Sequence, residues 1–200
     1  MTITSMQKNR KKTVGRPRSP QAEQAILQAT VELLGEVGFE TMNMDAIASR
    51  AGVGKTTIYR RYANKEELVA DAIERIREEI TIPNTGHLEH DIDLLIENAA
   101  QSTLSPLGRQ TIALIISSAA SNPKFAEIYW EKYLQPRREA FRTVLERAKQ
   151  RQEIPQDLDP LLVFDTMSGI MLYALLFPPQ SEAWASYVRR AVQLLLQAPS

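Results

Sequence analysis

Two hundred residues, 44% hydrophobic and 24% charged, suffice for a buried core and exclude a chain disordered throughout. The absence of cysteine excludes disulfides, thiolate zinc sites and cysteine nucleophiles, and two histidines, His87 and His90, leave little for histidine-based catalysis. The net charge of zero divides unevenly: residues 1–65 hold 11 Lys/Arg against 5 Asp/Glu, and residues 66–200 hold 13 against 19. A basic first third on an acidic body points to an anionic partner for that third alone.

Six bases, Lys8, Arg10, Lys11, Lys12, Arg16 and Arg18, precede the first acid, Glu23. Residues 1–18 lack apolar periodicity and contain Gly15 and Pro17, so they read as a flexible basic arm. A helix is expected from Ser19-Pro20 through Ala25, Ile26, Ala29, Leu33, Leu34 and Val37, ending at Gly38. A short helix follows over Met44–Ala51 with Asn43 as N-cap, then a Gly52-Val53-Gly54 turn and a second short helix over Lys55–Tyr62. Asn64 and Glu67 have the spacing of a capping box, and the helix they open runs to about Ile80. Beyond an 82–86 loop, helices are expected over 88–103, 106–121, 123–152, 160–177 and 182–197. Asn122-Pro123 and Asp159-Pro160 supply cap and first-turn proline, and Pro136 should kink or split the long segment. No strand-like alternation and no repeat appears, so the fold class is all-α.

The longest uncharged runs, Gln110–Pro123 and Thr166–Ser181, fall short of the roughly 20 apolar residues that span a bilayer. The polar, basic start lacks the apolar stretch of a signal peptide. A soluble, cytoplasmic protein with no membrane partner is expected.

The two short helices and their glycine turn form a helix-turn-helix, whose second helix fits the major groove. In Lys55–Tyr62, Ile58 and Tyr62 lie four apart and can face the core. Lys55, Thr56, Thr57, Tyr59, Arg60 and Arg61 remain for the outside, three of them cations suited to phosphate and guanine. Lys65 stands at a helix N-terminus, where backbone N–H groups also favour phosphate.

Residues 22–73 resemble the N-terminal domain of the TetR family of bacterial transcription regulators. The resemblance is carried by Gly38-Phe39, by the run from Met44 through Ala51-Gly52-Val53 to Tyr62, and by Asn64-Lys65-Glu66-Glu67-Leu68. It implies that Lys55, Thr56, Thr57, Tyr59, Arg60 and Arg61 face double-stranded DNA, with phosphate contacts from Asn43 and Lys65. The stretch Gly15-Arg16-Pro17-Arg18 resembles arms that reach into the minor groove in some members, which would place Arg16 and Arg18 on DNA. Two departures are visible: Asn43 replaces the usual Thr or Ser, and Gly54 replaces a frequent Ser and weakens that cap. The implied organisation is an arm (1–18), a DNA-binding domain (19–66) joined by the helix over about 65–80, and a helical regulatory and dimerisation domain (67–200).

The body resembles one subset of the family through Asn122-Pro123, Pro136-Arg137-Arg138 and the stretch from Gln152 to Pro160. This implies a homodimer packed through the last two helices. Small residues Gly169, Ala174, Ala185 and Ala191 permit close approach, and Ile170, Tyr173, Trp184, Tyr187, Val188, Val192 and Leu195 supply an apolar seam. The resemblance also implies a small-molecule pocket in the body. Its candidate lining is Ile112, Ile115, Ile116, Phe125, Tyr129, Tyr133, Phe164, Met167 and Met171, residues that equally suit a plain core.

Other patterns lead elsewhere and stop short. Gly54-Lys55-Thr56 lacks the glycine five residues earlier, where Ser49 stands, and the strand that a phosphate-binding loop needs. His87 and His90 share a helix face at a solvated helix start, a poor metal site. No nucleophile–base constellation stands out, so neither an enzyme nor a cofactor is expected. The resemblance therefore implies a dimeric repressor of a palindromic operator, released by a small apolar or aromatic effector. The alternative is a helical small-molecule-binding protein that does not read DNA sequence.

Overall fold

The computed structural model describes residues 20–76 and 82–197. The arm over 1–18, with Arg16 and Arg18, and the expected helix end near Ile80 lie outside the described residues. Among the described residues, ten α-helices and one π-helical turn follow in chain order. The head is α1 (Pro20–Thr41), α2 (Met44–Arg50), α3 (Lys55–Tyr59) and α4 (Lys65–Ile76). The body is α5 (Leu88–Leu104), α6 (Pro106–Ser121), α7 (Pro123–Tyr129), the π-helical turn Trp130–Leu134, α8 (Gln135–Gln150), α9 (Pro160–Leu176) and α10 (Trp184–Leu196). There is no strand among the described residues, so the chain is all-α.

The helix starts follow local chemistry. Asn43 Oδ1 accepts the Ala46 N–H at 2.9 Å, and Asn122 Oδ1 accepts that of Phe125 at 2.8 Å. Asp159 Oδ1 takes the N–H groups of Leu161 and Leu162. Each satisfies donors that a first helical turn leaves open. Asn64 Oδ1 accepts from Glu67 N–H at 2.8 Å, while the Glu67 carboxylate reaches back to Ala63 N–H, one residue before the cap. The α5 start borrows from far away: Glu153 accepts the Leu88 N–H at 2.8 Å.

Two boundaries depart from expectation, and an expected division takes an unexpected form. Regular α3 stops at Tyr59, but Tyr62 N–H still donates to Ile58 O at 3.0 Å, which keeps both side chains on one face. α1 continues beyond Gly38, which breaks it with φ +76° and turns Phe39 into the core. Pro136 splits the long segment as expected, into α7 and α8, but a π-turn carries the helical path across the division. Ahead of it the chain widens, and Gln135 N–H bonds Trp130 O five residues back. Proline offers no N–H to the preceding turn, and a π-turn absorbs the mismatch.

Two apolar cores result. In the head, Ile26, Leu34, Phe39, Ile47, Ile58, Leu68 and Ile73 pack together, and Phe125 and Tyr129 of α7 complete the cluster. Phe125 meets the Phe39 ring edge-on at 5.5 Å and stacks on Tyr129 at 5.6 Å. In the body, Ile96, Phe141, Val144, Leu145, Val163, Met167, Trp184, Val188 and Val192 join α5, α8, α9 and α10. A side chain fully buried this way contributes about 1.5–3 kcal/mol. The two tryptophans differ: Trp130, on the π-turn, is 42% exposed with Arg138 over its ring, whereas Trp184 is buried with Nε1 unbonded among the described residues.

Candidate nucleic-acid interface and adjoining cavity

α2 packs on α1 and carries α3 after the turn at Gly52, whose φ of +65° favours glycine. Ile58 and Tyr62 anchor α3 inward. Lys55, Thr56, Tyr59 and Arg60 are exposed, Thr57 and Arg61 are half-buried, and Asn43 is exposed at the start of α2. Tyr59 keeps 55% of its surface open, unusual for an aromatic side chain with an adjacent core to enter. Gly54 makes no side-chain cap bond, as its lack of a hydroxyl dictates.

Fixed ion pairs frame this surface. Arg50 holds Glu36 in a fork at 2.9 and 2.8 Å, tying α2 to α1, and its hydrogen bond keeps the Glu36 carboxyl below its usual range. Lys55 Nζ donates to Asp45 at 2.6 Å, a bond that raises its pKa and keeps it cationic.

Lys65 stands apart from the expected phosphate contacts. Its ammonium turns inward, donating to Phe39 O at 2.7 Å and Met42 O at 3.1 Å, 4.5 Å from the Phe39 ring centre. The carbonyls beyond the Gly38 break point at α4, and a cation satisfies them there.

A cavity of about 780 Å³ opens between head and body. Eight of the nine expected residues border it: Ile112, Ile115, Ile116, Tyr129, Tyr133, Phe164, Met167 and Met171. Phe125 does not. It is fully buried in the head core, because its place in the first turn of α7 directs it at Phe39. Leu95, Phe141, Leu172 and Leu175 extend the apolar wall, and the head contributes Glu23, Leu27, Tyr62, Asp71, Glu74 and Arg75.

These head residues include half of a ladder that sequence inspection missed. Tyr129 O–H donates to Glu74 at 3.0 Å, and Arg137 pairs with Glu74 through both nitrogens. Tyr133 O–H donates to Asp71, and Lys132 bridges Glu67 at 2.8 Å and Asp71 at 3.4 Å. Burial pulls the Arg137 guanidinium down, and burial together with Asp71 pushes the Tyr133 phenol up. Burial opposes the Lys132 charge, but Glu67 and Asp71 outweigh it and raise its pKa. The traces were present: acids at 67, 71 and 74 share one helical face, and donors at 129, 132, 133 and 137 share another.

Leu162, Tyr173, Leu176 and Phe177 are exposed, Tyr173 against the Phe177 ring, and Leu194 is exposed on α10. Gly169 faces open space, since nothing lies within 4 Å of where a Cβ would stand. Ile170, Tyr187 and Leu195 are half-buried. Trp184, Val188 and Val192, expected in an intermolecular seam, are instead buried in their own chain's core. α10 must first cover α5 and α9, and its most apolar stripe does that. No helix among the described residues is long and apolar enough to cross a membrane.

Residues 26–72 match the family described as bacterial regulatory proteins, tetR family, and residues 82–195 match the tetracyclin repressor-like C-terminal domain. The chain is 35% identical over 179 residues to the HTH-type transcriptional regulator YdeS of Bacillus subtilis, covering 89% of each chain. It is 27% identical over 187 residues to the DNA-binding transcriptional repressor TetR of Mycobacteroides abscessus, covering 88% of this chain and 93% of that one. The flavonoid-responsive regulator FrrA shares the fold at a TM-score of 0.69 with 20% identity, over 90% of this chain and 97% of the other.

Proposed function

The chain belongs to the TetR family of bacterial DNA-binding transcriptional regulators, and from that premise we propose that it is a homodimeric, cytoplasmic repressor released from a palindromic operator by a small apolar or aromatic ligand. The observation that carries this proposal is the two-sidedness of the head. One side presents Lys55, Thr56, Tyr59 and Arg60 on α3, and the other walls the cavity with Tyr62, Asp71 and Glu74. A ligand in that cavity touches the element that positions α3.

Thr56, Thr57, Tyr59, Arg60 and Arg61 are assigned to the major groove, and Lys55 and Asn43 to phosphate. Lys65 serves the same surface indirectly, by holding the α1 end to α4. Leu162, Gly169, Tyr173 and Leu176 on α9, Phe177 just after it and Leu194 on α10 form the face assigned to a second copy. Isologous pairing there places two α3 helices for half-sites about 34–36 Å apart. The ligand favours the arrangement in which that spacing no longer fits, and shifts the population accordingly. A relative named as a repressor and a shared-fold regulator named as flavonoid-responsive support repression and an apolar, aromatic effector.

The test is selection of bound duplexes from a random DNA pool at physiological salt. An enriched palindrome with half-sites one turn apart is expected. Arg60→Ala should then cost about 1–3 kcal/mol and relax selectivity at one base position. No enrichment, or unchanged affinity and selectivity in the variant, would overturn the assignment.

A further inference from the structure

Tyr62 is an odd residue in the cavity wall. It is 7% exposed, yet its hydroxyl has no hydrogen-bond partner among the described residues. Its neighbours in that wall, Tyr129 and Tyr133, both donate to carboxylates. The ring is buried while the hydroxyl oxygen is open to the cavity, so it can donate to an acceptor placed there.

The charges around this hydroxyl limit what that group can be. Asp71 and Glu23 face it with negative charge, and Arg61 and Arg75 with positive charge. Of these, Glu23, Asp71 and Arg75 border the cavity, so an anionic head meets two acids, a cationic head meets a guanidinium, and neither finds an unopposed counter-ion. Arg137, the half-buried cation of the wall, is already spent on Glu74. Burial first, then Asp71 and Glu23, push the Tyr62 phenol up to about 12, so it stays protonated and acts as a donor. Away from this end the wall is formed by Ile112, Ile115, Phe164, Met167 and Met171.

We infer that the effector is a neutral amphipathic molecule whose acceptor oxygen, such as a carbonyl, takes the Tyr62 O–H at the head end while its apolar part fills the body end. This rests on the cavity being the effector site. It adds the effector's charge, its direction and a contact three residues beyond the end of α3.

Diphenylhexatriene, a hydrocarbon that fluoresces only in apolar surroundings, serves as the probe on full-length protein and on Tyr62→Phe. It has no polar atom, so equal binding to both shows that the variant is folded with its cavity intact. Displacement is then measured with 2-undecanone, decanoate and decylamine. The ketone should displace the probe at about tenfold lower concentration than either ion, and Tyr62→Phe should weaken the ketone alone by about three- to tenfold. If either ion matches the ketone, or the ketone binds both proteins equally, the inference is overturned while the cavity stands. If the hydrocarbon does not bind at all, the effector cavity falls and the inference falls with it.

Discussion

Head and body spend their apolar residues differently. In the head Ile26, Ile47, Ile58, Leu68 and Ile73 have no exposed surface, and what remains outside α3 is charged, hydroxylated or phenolic. In the body the apolar residues are left unfinished twice, around a cavity of about 780 Å³ and along the exposed α9 face from Leu162 to Leu176, with Phe177 after it. A surface that presents side chains to a partner needs a sealed scaffold beneath it. A region that receives a ligand or a second copy must leave apolar surface unsatisfied until the partner arrives. The head is not self-sufficient, because Phe125 and Tyr129 come from α7 to close its core. That borrowing makes the joint between the two regions part of the packing.

The contrast can be broken by identical truncations. Ile58→Ala, at zero exposure, should cost about 2–5 kcal/mol by urea unfolding, because the site cannot collapse. Ile116→Ala, 38% exposed on the cavity wall, should cost less than about 1 kcal/mol. Equal costs would mean that the cavity wall is packed as tightly as the head. A second variant acts on the joint. Glu74→Gln leaves the half-buried Arg137 without its counter-ion and should cost about 1–3 kcal/mol, with faster hydrogen exchange concentrated in α4. Uniformly faster exchange would show that the ladder supports the whole fold rather than the joint.

The smallest effect is one of acid. The Lys132 hydrogen bond holds the Glu67 carboxyl below its usual range. A depressed folded pKa stabilises fully above the unfolded value and is lost as pH falls through the folded one. The unfolding midpoint should therefore drop as pH is lowered from about 4.3, the ordinary glutamate value. In Lys132→Met that share of the drop should vanish, and an unchanged pH profile would remove Lys132 from the account.

What the sequence made legible was local. Asn43, Asn122 and Asp159 cap where their residue types said they would, the last two with a proline following. The helix-turn-helix could be read because turn, anchors and outward face lie within twenty consecutive residues. The misreadings share one cause, which is that amphipathicity tells that a face is buried and not against what. Phe125 faces the head core rather than the cavity, and Trp184, Val188 and Val192 face their own body rather than a partner. Lys65 turned inward because the carbonyls of Phe39 and Met42, more than twenty residues earlier, needed a donor. The ladder on Asp71 and Glu74 pairs residues about sixty positions apart, beyond any spacing rule.

The placement of the two tryptophans gives the molecule a built-in optical gauge. Trp184 sits in the body core with its indole nitrogen unbonded, so its emission should be blue and insensitive to added quenchers. Trp130 stands half-open on the π-turn, directly after Tyr129 and beside the Arg138 cation, so its emission should be red-shifted and quenchable. Iodide removes the second signal and leaves the first. Whatever moves α7 and the π-turn against α4 is then seen as a change of colour, with no label attached.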